Sequence, residues 1–115
     1  MPSAQDELPF EISCTEVKSL LEAGGDFLLL DVRTPEEYAI AQIPSAKLIP
    51  IREISGRIGE LTPHRQGRIV VHCHHGGRSE QVAAWLRQQG FAGAQNMVGG
   101  IDAWAVEIDR SLPRY

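Results

Sequence analysis

The residues best suited to chemistry lie in one eight-residue stretch, His72-Cys73-His74-His75-Gly76-Gly77-Arg78-Ser79. The chemistry such a set supports is nucleophilic attack by a thiolate. A free thiol has a pKa of about 8.5, and a cation or a helix N-terminus lowers it to about 3.5–7.5. Gly76 and Gly77 can take positive φ and turn consecutive N–H groups inward, which makes an anion-binding nest. A helix opening near Ser79 aims its positive end at the same point, worth about 0.3–2 kcal/mol. That is about one pKa unit, at ~1.36 kcal/mol per unit. Hydrogen bonds from the loop amides of His74 to Ser79, about 1.5–3 kcal/mol each to a charged acceptor, supply the rest. Arg78 adds a planar cation for an anionic substrate. The competing reading of Cys73 is a buried structural thiol, since free cysteine is among the most buried residue types. The glycine pair and the arginine that follow directly favour the nucleophile.

The elements that must position this loop are legible on either side of it. Ile69-Val70-Val71 is a β-branched run ending at the cysteine, and Glu80-Gln81-Val82-Ala83-Ala84-Trp85-Leu86-Arg87 is helical. Cys73 therefore stands at the carboxyl end of a strand, where ligands bind in open α/β sheets. Phe27-Leu28-Leu29-Leu30-Asp31-Val32 reads as a second strand, apolar enough to be covered on both faces. Thr34, Pro35 and Glu37 then spell a helix start with a capping box. This turn carries Asp31 and Arg33, for which two readings stand: a structural ion pair or capping network, and a supporting role at the active site.

Taken in order, residues 1–8 read as a loose lead-in and Phe10-Glu11-Ile12 as a short first strand. Ser13 and Glu16 fit a capping box for a helix through Val17, Leu20 and Leu21 that stops at Gly24-Gly25. Cys14, in its first turn, reads as structural. Pro44 and Pro50 bracket a short or edge strand. Ile51 to Leu61 reads as a helix, weakened or split by Gly56 and Gly59. His64 sits in the polar loop 62–67 as a surface residue. Ala94-Gln95-Asn96-Met97 is the final strand. A tight turn at Gly99-Gly100 then passes close to the Cys73 loop and leads to a helix anchored by Trp104. Residues 106–115 read as an extended tail on the surface. Alternating strands and helices give an α/β fold with a mainly parallel sheet.

Composition narrows the setting. The 115 residues suit one domain over 1–115. A net charge of −4 argues against a nucleic-acid partner. No apolar run approaches the ~20 residues of a membrane span, and the first residues lack the regions of a signal peptide. Two cysteines far apart make no disulfide framework. The expected compartment is the cytoplasm.

The Cys73 loop resembles the active-site loop of single-domain rhodaneses, the sulfurtransferases. Asp31-Val32-Arg33 with Glu37-Tyr38, and Val98-Gly99-Gly100-Ile101-Asp102-Ala103-Trp104, resemble that family's other motifs, so the resemblance spans nearly the whole chain. One departure is Ala41-Gln42, where the family usually has Gly-His, and Gln42 is given no catalytic role. The resemblance implies a three-layer sandwich with five central strands and helices on both faces. It implies Cys73 as a persulfide-carrying nucleophile, with His74, His75, Gly76, Gly77, Arg78 and Ser79 binding the substrate. It also implies that Arg33 helps hold loops around the site. The partners would be a small-molecule sulfur donor, thiosulfate or a persulfide, and a cyanide or thiol acceptor. A protein donor or acceptor fits the same scheme, and neither metal nor organic cofactor is called for.

Other chemistries share parts of this pattern. Cysteine phosphatases use a similar cradle, but with five residues between cysteine and arginine. Here four intervene, which makes a smaller oxyanion site. His72-Cys73-His74-His75 is dense in metal ligands, but no second cluster completes a four-ligand zinc site. A non-catalytic binding module or a persulfide carrier in a relay remains the alternative. His74 and His75 read first as amide donors and rim residues, and second as acid–base groups. Neutral at pH 7 by their reference pKa of about 6.5, they would help bind thiosulfate only once protonated, below pH ~6.5.

Overall fold

The computed structural model describes residues 8–115. The part of the lead-in reading that covers residues 1–7 lies outside the described residues. Among the described residues, five strands form one parallel sheet: β1 (Glu11–Ile12), β2 (Phe27–Asp31), β3 (Lys47–Leu48), β4 (Arg68–His72) and β5 (Ala94–Met97). Their order across the sheet is β1-β5-β4-β2-β3, and every pairing is parallel. Four α-helices among the same residues cover it: α1 (Cys14–Glu22), α2 (Pro35–Ile40), α3 (Gly77–Gln88) and α4 (Gly100–Glu107).

The period-2 alternation of the central strands sends side chains into two cores. Leu30, Ile69 and Val71 point to one face, where Val82, Ala83 and Leu86 of α3 meet them together with Ile54, Leu61 and Phe91. Leu29 and Val70 point to the other, against Val17 of α1 and Ile101 and Trp104 of α4. This is the three-layer sandwich that the family resemblance implies, built on the parallel sheet that the alternating strands and helices predict. β4 lies in the middle, so its carboxyl end is enclosed by β2, β5 and the helices on both faces.

Three local expectations change. The 51–61 segment is not one α-helix but 3₁₀ turns at Ile51–Glu53 and Ser55–Glu60, and a third follows at Thr62–His64. Gly56 and Gly59 lower the helix propensity that an α-helix there would need. Ser13 caps α1 by accepting from the Glu16 amide at 3.1 Å. The Glu16 carboxylate, however, meets only the Ser13 hydroxyl, so the box is half made. At Thr34 the box is complete in both directions. The 106–115 segment is also different: α4 continues to Glu107, and the chain then turns back toward the sheet's carboxyl end.

Candidate active site

Cys73 follows the last residue of β4 and is 1% exposed. The next helix begins unusually. Its N-cap is Gly76, with φ 114° and no side-chain cap. Helices leave their first four N–H groups unpaired, and here the cysteine sulfur takes the place of a capping oxygen. The Gly76 amide donates to Sγ at 3.1 Å and the Ser79 amide at 3.4 Å. The Ser79 hydroxyl lies 3.4 Å from Sγ. Its single proton has two other takers, Asn96 Oδ1 at 2.6 Å and the Gly76 carbonyl at 3.1 Å. A thiolate is the stronger acceptor, because bonds to ionised groups are about twice as strong as neutral ones. The hydroxyl can therefore swing to sulfur when charge forms there. Burial alone would push the Cys73 thiol up. The Ser79 hydroxyl and the amides of Ser79, Gly76 and Arg78 outweigh it and bring the thiol below its ordinary value.

The loop keeps this shape because its carbonyls are held from behind. The Ile101 amide donates to the Cys73 carbonyl at 2.9 Å and the Asp102 amide to the His74 carbonyl at 3.0 Å. These are the first free amides of α4, so one helix start holds the loop's oxygens while another faces its sulfur. A Cβ on Gly100 would lie 2.5 Å from both carbonyl oxygens, and only glycine permits that approach. Buried Cys14 supports the same turn, with its Sγ 3.8 Å from the Val98 and Gly100 carbonyls. Desolvation raises the Cys14 thiol to about 11, which makes it a poor nucleophile.

The side chains expected to bind substrate divide into two groups. Cys73, Gly76 and Ser79 converge on one point. His74 and His75 turn outward to the rim, where their rings lie 3.9 Å apart, and His75 stays largely exposed. Burial, and then the neighbouring His75, push His74 below its ordinary value. Its charge therefore appears only at a more acidic pH than the reference value suggests. Gly77 has open space where a side chain would be. Arg78 faces the cradle through its amide, while its guanidinium is turned to a carboxylate of the protein. It forms a bidentate pair with Glu37 at 2.6 and 2.9 Å, and Arg78 in turn holds the Glu37 carboxyl down at about 2. The pair cancels the charge that the sequence reading assigned to substrate.

Asp31 and Arg33 are completely buried and joined by a 2.6 Å ion pair. Arg33 also donates to the Ala41 carbonyl at 2.7 Å, the Glu37 carbonyl at 3.3 Å and the Tyr115 hydroxyl at 2.8 Å. It ties three segments beside the loop. His72 occupies the same rung as Asp31 in the neighbouring strand. Desolvation lowers it to about 4 despite the nearby carboxylate, so it is neutral.

Three contributors escaped the sequence reading. Asn96 is visible in the sequence only as a polar residue of the last strand, and Glu37 only as a capping residue and part of the Glu37-Tyr38 motif. Tyr115 lies at the surface, as the tail reading expects, and in addition its ring stacks on His74 at 3.9 Å and 8°. Its hydroxyl donates to Glu37 at 2.8 Å.

Comparison with known proteins agrees with this architecture. The family described as Rhodanese-like domain matches residues 13–107. A sulfurtransferase of Allochromatium vinosum is 40% identical over 95 residues, covering 83% of this chain and 87% of that protein. A rhodanese-like/PpiC domain-containing chloroplastic protein of Arabidopsis thaliana is also 40% identical. It is matched over 76% of this chain but only 30% of its own length. The chain spans about a third or less of several such larger relatives. Among solved structures, a rhodanese-like domain protein from Staphylococcus aureus superposes with a TM-score of 0.79 at 32% identity. That match covers 93% of this chain and 99% of that one. A human single-domain sulfurtransferase gives 0.75 at 28%, covering 87% and 98%. With the sheet order, the uncapped helix behind Cys73 and the Gly99-Gly100 turn all in place, the chain belongs to the rhodanese-like domain family.

Proposed function

We propose that this protein is a sulfurtransferase that moves a sulfane sulfur through a persulfide on Cys73. The observation that carries the reading is the convergence of the Gly76 and Ser79 amides and the Ser79 hydroxyl on Cys73 Sγ. These donors stabilise a thiolate before attack and a persulfide anion after it, as a preorganised anion hole does. With thiosulfate, the Cys73 thiolate attacks the outer sulfur. The new S–S bond forms as the old one breaks, and sulfite leaves with the electron pair. Cyanide or a thiolate then attacks the terminal sulfur and takes it, and the Cys73 thiolate returns. The two half-reactions make a ping-pong scheme, and they balance without metal or organic cofactor.

A persulfide donor fits the rim better than the thiosulfate dianion does. The cations nearest the loop are each tied to a carboxylate: Arg78 to Glu37, Arg33 to Asp31 and Arg114 to Asp102. His74 is held neutral near pH 7. Among relatives, a putative sulfur carrier protein of Bacillus subtilis is 37% identical over 94 residues, in keeping with a relay role. Both cysteines are free and buried, which suits a reducing compartment such as the cytoplasm. Among the described residues no helix is long and apolar enough to cross a membrane.

The test is mass spectrometry of the intact protein after exposure to thiosulfate or to a small persulfide, beside Cys73→Ser. A gain of one sulfur, about 32 Da, that needs Cys73 and disappears with cyanide or a thiol establishes the persulfide step. Loading by neither donor would reject sulfur transfer and leave a binding module.

A further inference from the structure

The segment after α4 returns to the mouth of the Cys73 cradle and reaches both of its shoulders, one directly and one through Glu37. At one end of the loop, the Tyr115 ring lies flat on His74, the residue next to the nucleophile. At the other end, its hydroxyl donates to Glu37, the carboxylate that holds Arg78. Arg33 donates to the same hydroxyl from beneath. The neighbouring residue anchors the segment a second time, since Arg114 forms a bidentate pair with Asp102 at 3.0 and 3.2 Å. Asp102 lies in the first turn of α4, whose amides hold the loop's carbonyls. Cys73, adjacent to the stacked His74, is 1% exposed, although a sulfur donor has to reach its Sγ in line.

We infer that Arg114 and Tyr115 form a strap across the Cys73 cradle, with Tyr115 as the residue that sets how large a sulfur donor or acceptor reaches the sulfur. The anchors are of a strength that allows movement. Arg114 and Asp102 are solvent-accessible, and exposed ion pairs hold weakly. Tyr115 is 37% exposed. Its phenol stays protonated because burial, with Glu37 adding to it, raises it to about 12. The hydroxyl therefore keeps its bond to Glu37 across the working pH range. The size selection of donors rests on the sulfur-transfer reading, while the control of access to Cys73 does not.

The experiment measures the alkylation rate of Cys73 by iodoacetamide and by the bulkier N-ethylmaleimide. Peptide mass spectrometry reads the product, from about pH 5 to pH 8 across the range of perturbed thiols. The chains compared are the wild type, Tyr115→Ala, Tyr115→Phe and Arg114→Ala. Tyr115→Ala should raise the high-pH plateau rate about tenfold, the equivalent of ~1.4 kcal/mol in barrier, and by more for the bulkier reagent. Tyr115→Phe keeps the stack and loses the bonds, so it should give a smaller rise, as should Arg114→Ala. An unchanged plateau overturns the strap. So does a change confined to the titration midpoint, which would mean that Tyr115 acts only on the thiol's charge through Glu37. If Tyr115→Ala does not fold, Tyr115→Phe and Arg114→Ala decide in the same way. Sulfur loading from thiosulfate and from a glutathione-sized persulfide separates the two proposals. Faster alkylation with no loading by either donor keeps the strap and rejects sulfur transfer. Loading with unchanged alkylation does the reverse.

Discussion

Two strand-to-helix turns leave the carboxyl end of the sheet side by side, after β2 and after β4, and they close their helices in opposite ways. After β2, Thr34 and Glu37 satisfy the first amides of α2 with their own side chains, and Arg33 is locked to Asp31. After β4, Gly76 stands where a capping side chain would be, and the free amides point at Cys73. The first turn spends its polar groups on holding shape. The second leaves them for an anion. Glu37 joins the two, since it caps α2 and also fixes Arg78 of the α3 start. A capped turn therefore serves as the frame for an uncapped one.

The comparison can be broken most severely at the frame. Arg33→Met leaves Asp31 charged and unpaired in a dry site. It should cost about 3–5 kcal/mol of stability, the penalty for halving a buried pair, read as the shift of the denaturant midpoint. A loss under about 1 kcal/mol would mean that the pair is not a structural tie.

Next in size is the pH response of His72, which shares a rung with Asp31 but lacks its pairing. Its folded pKa of about 4 lies below the ordinary 6.5, so the unfolded chain takes up the proton first. Stability from this group is full above pH 6.5 and falls as pH drops toward about 4. The total loss is roughly 3 kcal/mol at ~1.36 kcal/mol per unit. The slope of unfolding free energy against pH in that window should flatten in His72→Gln. An unchanged slope would mean that other groups carry it.

Gly76→Ala sharpens the contrast directly. The space is adequate, with the nearest backbone atom 3.5 Å away, but φ is 114°. Strain of about 1–3 kcal/mol should turn the amide away from sulfur. The thiol pKa should rise accordingly, measured from the pH dependence of Cys73 alkylation. Ser79→Ala removes one donor and leaves the backbone alone. A rise of about one unit is expected by the same measurement, and no rise would show that the hydroxyl stays with Asn96.

The smallest effect is expected at Thr34→Ala. Loss of that cap should cost about 1 kcal/mol, near 4 °C in melting temperature, and leave Cys73 reactivity as it was. A large change in thiol reactivity there would show that the two turns are not separable.

Much of this was legible in the chain. The strand and helix order, the Thr34-Pro35-Glu37 start and the strand-end position of Cys73 are all written in short-range pattern. Apolar period and capping chemistry act within one or two helical turns, so a linear reading captures them. The 51–61 segment shows the limit of that reading, because apolar spacing looked helical while the glycines and the packing gave 3₁₀ turns.

What only the tertiary structure decided are the contacts between distant parts of the chain. Arg78 meets Glu37 across 41 positions, and Tyr115 meets Glu37 across 78. Ser79 meets Asn96 across 17. A cation next to a nucleophile reads locally as a substrate ligand, and a polar end segment reads as a surface tail. Which carboxylate faces the arginine, and where the tail lands, depends on how the parallel crossovers bring strand ends together. The sequence alone determined the local make-up of the Cys73 loop, because the thiol and the amides that face it are contiguous. The fold determined the charge and the access of that site, because both are set by side chains that come close only after the sheet has formed.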